Sequence, residues 1–146
     1  MPSIKAVNMA DMVAFCDLIE ERAVKAAKEY GVPGAKVYTD YKELLADPEI
    51  DVVHVCTPNR SHADISIDAM HARKHVMCEK PAGVYTKQVR EMNEAAAKSN
   101  RVFAMMFNQR TNCVYRKIKE MIDGGELGQL KRVNWIITDW YRTQYY

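Results

Sequence analysis

The chain has 146 residues, 48% of them hydrophobic and 27% charged, with a formal net charge of +2. That is the make-up of one ordinary globular domain, and so small a charge excludes binding to nucleic acid or an acidic membrane by bulk electrostatics. No apolar run approaches the roughly 20 residues a membrane helix needs, and residues 1–12 lack the charged-then-apolar order of a signal peptide, so the expected location is cytoplasmic.

Residues 3–9 read as the end of a helix entering a loop. Residues 12–16 form a short apolar run that stops at Asp17. From Ile19 the period changes: Ile19, Ala23, Ala26, Ala27 and Tyr30 share one helical face, and Gly31 ends the segment. A brief strand at 36–39 and a short helix at 41–46, closed by Asp47-Pro48, come next. Residues 51–56 (DVVHVC) are β-branched and apolar, as in a strand covered on both faces. Ser61 stands where it can cap the next helix, with Asp64 in the capping-box position, and Ala63, Ile67 and Met70 line that helix. A strand follows at 75–79. Thr86 is placed to cap a helix with Val89, Met92 and Ala96 on one face, and 101–107 (RVFAMMF) is a further strand. Asn112 opens a helix carrying Val114, Ile118, Met121 and Ile122, and Gly124-Gly125 closes it.

Strands alternating with helices long enough to cross over a sheet predict an α/β protein with a doubly wound parallel sheet. After Gly128 the pattern changes. Residues 131–140 alternate, with Val133, Trp135 and Ile137 on one face, which predicts an amphipathic strand of an open sheet. The predicted division is therefore 1–128, followed by the start of a second domain at 129–146. Cys16, Cys56, Cys78 and Cys113 are far apart and form no C-x-x-C pair, so buried, reduced thiols are expected. The four histidines show no metal-ligand spacing.

Three features converge on one edge of the predicted sheet, where open α/β folds bind ligands. Asp17 directly follows a strand. An acidic residue there can accept hydrogen bonds from an adenosine ribose and repel a 2′-phosphate, favouring NAD over NADP. It can equally be a helix cap supported by Glu20. The stretch Cys56-Thr57-Pro58-Asn59-Arg60-Ser61-His62 closes a second strand and could lie along a nucleotide, or be an ordinary β–α connection. Glu79-Lys80-Pro81 follows a third. A partly desolvated lysine at such a strand end can exchange protons, and the alternative is a solvated ion pair. A weaker feature is Phe107-Asn108-Gln109-Arg110, which reads as a polar site edge or a solvated loop.

The order CD…TPNRSH…KHVMCEKP…FNQR…GELG closely resembles the glucose-fructose oxidoreductase / inositol dehydrogenase / MocA-like family, from about residue 12 onward. The resemblance implies a Rossmann domain followed by an α/β domain on an open antiparallel sheet. It implies NAD(P)-dependent oxidation of a secondary alcohol of a sugar, inositol or similar polyol. By position it assigns Asp17 to the adenosine ribose, and Thr57, Pro58, Asn59 and His62 to the cofactor wall. It places Glu79 by the nicotinamide ribose and Lys80 beside the reacting carbon as the catalytic residue. Asn108 is assigned to the cofactor pocket, and Arg110, Trp140 and Arg142 to the substrate side. NAD is the expected cofactor. NADP stays open through Arg22 or Arg60. The parent enzyme is expected to be a homo-oligomer.

The sequence departs from that family in two places. None of its six glycines lies in a G-x-G-x-x-G turn. The strand preceding such a turn would lie between strands 12–16 and 51–56, and its absence leaves two strand edges unpaired. The Asp and His that the family supplies from its second domain have no counterpart after Trp140. The expectation is a fragment of such an enzyme, inactive by itself. The alternative is a non-catalytic nucleotide-binding or interaction module derived from one.

Overall fold

The computed structural model describes residues 2–7, 9–138 and 143–144. The chain divides into two units, Met1–Phe107 and Asn108–Tyr146. The first carries α1 (Pro2–Val7), β1 (Ala14–Cys16), α2 (Glu20–Tyr30), β2 (Lys36–Tyr38), α3 (Tyr41–Ala46), β3 (Val52–Val55), a 3₁₀ turn (Asn59–Ser61), α4 (His62–His71), β4 (His75–Glu79), α5 (Thr86–Lys98) and β5 (Phe103–Met106). Among the described residues no helix is long and apolar enough to cross a membrane.

Every strand pairing is parallel, as the alternation predicts. The strands form two sheets, β1-β2 and β3-β4-β5. β1 and β3 are therefore each hydrogen-bonded on one side only. In the larger sheet Val53 lies opposite Val76 and Val76 opposite Phe103. One pleat further on, Val55, Cys78 and Met105 are aligned. Side chains alternate along a strand, so these six share a face. Val55, Val76 and Cys78 are buried there, in a core with Ala63, Ala69 and Met70 of α4 and Met92 of α5. Small residues on α4 let the two crossover helices pack closely over the sheet.

A polar brace completes the first unit. Asp47, buried just after α3, accepts from Lys36 Nζ at 2.8 Å and from Tyr38 OH at 2.7 Å through Oδ2, and from the Glu49 N–H at 3.0 Å through Oδ1. Its carbonyl accepts from the buried Lys74 Nζ at 2.7 Å. The brace joins β2, the connection into β3, and the turn between α4 and β4. At that turn Arg73 takes a left-handed φ of 61°, while Lys74 N–H bonds back to Ala69 O, the geometry of a Schellman helix ending. Gly31 has a different reason to be glycine. Its backbone is not left-handed, but an added Cβ would lie 2.6 Å from Ala27 O and from Ala35 Cβ.

Several local expectations need correction. Ser61 does not cap α4: its hydroxyl donates to Pro58 O at 2.9 Å and pairs with Thr57 Oγ1 at 2.8 Å. Thr86 is the first residue of α5 rather than its cap, which is Tyr85 with no side-chain bond. Cys56 and Cys113 are exposed and Cys16 is half-buried, so only Cys78 is a fully buried thiol.

The second unit holds α6 (Asn108–Thr111) and α7 (Cys113–Asp123). Asn112 caps α7 as expected, accepting from the Val114 N–H at 2.9 Å. Residues 131–138, predicted as a strand, form none. A strand exists through its ladder, and among the described residues of this unit no other segment is a strand to pair with it. Trp135 instead meets Tyr115 of α7 edge-on, with ring centroids 5.8 Å apart.

Two outcomes follow for stability. Met92 is 1% exposed, so Met92→Ala should cost about 2–5 kcal/mol, seen as a lower urea midpoint at an unchanged m-value. The Asp47 carboxyl is held down at about 2 by Lys36 above all, then by the Glu49 N–H and Tyr38. A depressed carboxylate contributes stability above its unfolded range, and that contribution is lost as pH falls from about 4 towards 2. Asp47→Asn should lower the urea midpoint at neutral pH and flatten its fall through that acid window.

Candidate functional site

The parallel pairing delivers the ends of the strands to common edges. β1 runs into Asp17, β3 into Cys56-Thr57-Pro58-Asn59, and β4 into Glu79-Lys80-Pro81. β3 and β4 are paired, with Val55 opposite Cys78, so the loops that follow them start side by side. The Cys56 thiol is pushed up by burial first, then by the charge of Glu79 and also by that of Asp17. Two carboxylates from two separate sheets thus act on one sulfur at the end of β3. Glu79 and Asp17 raise the thiols of Cys78 and Cys16 too, behind the larger effect of burial.

Asp17 is half-buried. Its Oδ1 accepts the Ile19 N–H at 2.9 Å, and among the described residues its second oxygen accepts no hydrogen bond. The capping role is therefore real but local. The cap residue of α2 is Ile19, and Glu20 takes no part in a capping box. Thr57, Pro58 and Asn59 are exposed on the loop after β3, which Ser61 braces from within. Glu79 is half-buried, and its Oε2 accepts the Lys80 N–H at 3.3 Å. Lys80 itself is exposed rather than partly desolvated, and among the described residues its ammonium makes no hydrogen bond or ion pair. The Lys80–Pro81 peptide bond is cis.

His62, expected on the cofactor wall, is 1% exposed. Its Nδ1 lies 2.7 Å from Pro81 O and its Nε2 2.6 Å from Thr57 O. It stands behind the loop instead of on its surface. The spacing of His62, Ser66, Ala69 and Met70 on one helical face carried that information. Asn108 and Arg110 lie in the second unit, on α6, which begins two residues after β5 ends. Trp140 and Arg142 fall outside the described residues. The carbonyl of Pro81, which faces His62, was not singled out, because no sequence signal marks a backbone carbonyl.

The donor set fits a dinucleotide's sugar hydroxyls. Those groups donate to carboxylates, and Asp17 keeps a free carboxylate oxygen half-exposed at the edge. Parallel βαβ units with polar residues gathered after their strands define a nucleotide-binding α/β protein of Rossmann type. Comparison with known proteins makes this specific: residues 1–107 match the Gfo/Idh/MocA oxidoreductase family with its NAD-binding Rossmann fold. The chain belongs to this family. It is 36% identical over 124 residues to inositol 2-dehydrogenase of Salmonella typhimurium, covering 84% of this chain and 37% of that protein. The fold matches the crystal structure of myo-inositol 2-dehydrogenase from Lactobacillus plantarum with a TM-score of 0.77 at 32% identity, over 84% of this chain and 36% of that one. It also matches scyllo-inositol dehydrogenase from Lactobacillus casei, solved with NAD(H) and scyllo-inositol bound, with a TM-score of 0.76 at 28% identity, over 86% and 38% of the two chains. The chain therefore spans little more than a third of the length of these relatives.

The raised Cys56 thiol has a measurable consequence. Although the residue is exposed, its sulfur is the poorer nucleophile. At neutral pH iodoacetamide should label the exposed Cys113 before Cys56, read by peptide mass spectrometry. Glu79→Gln should speed labelling of Cys56 and leave Cys113 unchanged.

Proposed function

We propose that this chain is the cofactor-binding part of an NAD-dependent oxidoreductase that acts on a secondary alcohol of a sugar, inositol or similar polyol. One observation carries the reading. The neighbouring strands β3 and β4 run parallel, Val55 opposite Cys78, and His62 bonds the two loops that follow them, so Thr57, Asn59 and the Glu79-Lys80 pair lie at one end of the sheet. The activity and substrate class of the relatives support the rest: an inositol dehydrogenase and a D-glucoside 3-dehydrogenase align with most of this chain.

When bound, the nicotinamide supplies the hydride acceptor. The residues of this chain supply position and a proton path. The free oxygen of Asp17 accepts from ribose hydroxyls and disfavours a phosphate at the same place, which selects NAD over NADP. Thr57, Pro58 and Asn59 line the cofactor from the loop after β3. Glu79 accepts from the nicotinamide ribose. Lys80, with its ammonium unpaired, donates to the alcohol oxygen, stabilises negative charge developing there and takes part in removing the hydroxyl proton.

A second reading has an observation of its own. Among the described residues no histidine or aspartate pairs with Lys80. This favours a nucleotide-binding module that does not turn substrate over by itself. Incubation with NAD and myo-inositol, following absorbance of the reduced cofactor, separates the two readings.

Titration with NADH, followed by nicotinamide fluorescence, tests the cofactor assignment. Saturable binding is expected, weaker for NADPH. Asp17→Ala should weaken NADH binding about 10- to 100-fold, the range for losing hydrogen bonds to a charged group, and should erase the preference over NADPH. Lys80→Ala should leave the affinity within a few fold. Unchanged affinity in Asp17→Ala removes that residue from the ribose site.

A further inference from the structure

The ring of His62 is buried, opens α4, and touches two loops that are 24 residues apart from Thr57 to Pro81. Each ring nitrogen faces a backbone carbonyl, Pro81 O at 2.7 Å and Thr57 O at 2.6 Å. Carbonyl oxygens only accept, so each of these bonds is donated by a ring N–H, and a ring that makes both carries a proton on each nitrogen. The two carbonyls belong to the two loops that carry Thr57, Asn59 and Lys80. Each loop has its own internal brace. Ser61 N–H bonds Pro58 O at 3.0 Å in the first, and Val84 N–H bonds Gln88 Oε1 at 3.2 Å beyond the second. Neither brace reaches the other loop. The imidazole of His62 does.

We propose that His62 is a positioning residue: one buried ring fixes the separation of the loop after β3 from the turn after β4, so that residues on both meet a single bound dinucleotide. This rests on the cofactor reading above and adds a residue that touches neither cofactor nor substrate. A ring is suited to the task because its two donors are rigidly fixed relative to each other, so one loop cannot shift without the other or without breaking a bond that has no water to replace it. An ordinary core histidine, in its neutral form, donates from one ring nitrogen and accepts at the other. Here both partners are main-chain atoms of the two strand-end loops.

Two substitutions divide the tie. The amide nitrogen of asparagine takes the place of Nδ1, and that of glutamine the place of Nε2. His62→Asn keeps the bond to Pro81 and releases Thr57. His62→Gln does the reverse. Amide hydrogen exchange by NMR reads the two loops separately, with Ser61 and Val84 as reporters. His62→Asn should speed Ser61 about tenfold and leave Val84 near its original rate. His62→Gln should speed Val84 and spare Ser61. His62→Phe should speed both. Each variant should also weaken NADH binding about tenfold, the effect of one lost buried hydrogen bond. Equal acceleration of both loops by all three variants, or no acceleration, overturns the proposal. If a variant does not fold, the wild-type chain still decides. Labelled with ¹³C and ¹⁵N, it should show couplings across both hydrogen bonds, from the His62 ring nitrogens to the Thr57 and Pro81 carbonyl carbons, and the absence of either one overturns the tie. A wild-type chain that fails to bind NADH defeats the dinucleotide reading, while the exchange pattern and the couplings still decide whether His62 ties the loops.

Discussion

Parallel pairing is the constraint from which the rest of this molecule follows. A parallel strand cannot be reached by a hairpin, so each one must be returned by a crossover that covers the sheet. α4 and α5 are those crossovers for β3, β4 and β5, and the row Val55, Cys78 and Met105 shows what they cover. Within each sheet the same constraint sends the carboxyl ends of its strands to one side. Residues as far apart as Thr57 and Lys80 then stand at one end of the larger sheet without either loop having to reach for it.

A sheet this small needs help at its margins. β2 has three residues, none fully buried. Its place is fixed by Asp47, whose carboxylate is satisfied by Lys36 and Tyr38 of that strand and by the Glu49 N–H. A buried carboxylate with all its partners present holds geometry, and one with a partner missing is costly. The exposed pairs Lys87–Glu91 and Lys119–Asp123 are of another kind, worth at most about 1 kcal/mol each because water competes for them. The brace also reaches Lys74 at the head of β4 through the Asp47 carbonyl. The smaller sheet is thereby linked to the larger one even though β1 and β3 do not pair.

Much of this was legible in the sequence, for definite reasons. The change from a period near two to one near 3.6 located the strands and helices of the first unit. The spacing of TPNRSH and KHVMCEKP marked both strand-end loops. What failed was local competition and pairing. Ser61 has the right position for a cap, but its hydroxyl finds Thr57 and Pro58 nearer than an α4 N–H. Gly31 ends α2 as read, and it is glycine there because Ala27 O and Ala35 leave no room for a Cβ. The alternation in 131–138 shows which residues would share a face, but alternation carries no information on whether a partner strand is there. Partial desolvation of Lys80 was inferred from its place at a strand end, but a side chain one residue past the end of β4 leaves the layer that covers the strand.

The charges at the edge narrow what that edge can hold. Asp17 follows β1 and Glu79 ends β4, and the charge of each pushes the Cys56 thiol up, behind the larger effect of burial. Such an edge attracts hydrogen-bond donors and repels phosphate. The hydroxyl-bearing sugars of a dinucleotide suit it, and its diphosphate does not. The two kinds of group must therefore be held by different parts of the protein. Carboxylates serve the sugars, while amide N–H groups or cations serve the phosphates. Lys80 is the exception that makes the edge useful. Its exposed ammonium, which among the described residues makes no hydrogen bond or ion pair, directly follows Glu79. Under the function proposed above, a neutral alcohol approaches that edge without repulsion, and Lys80 supplies the positive charge that meets its developing negative charge.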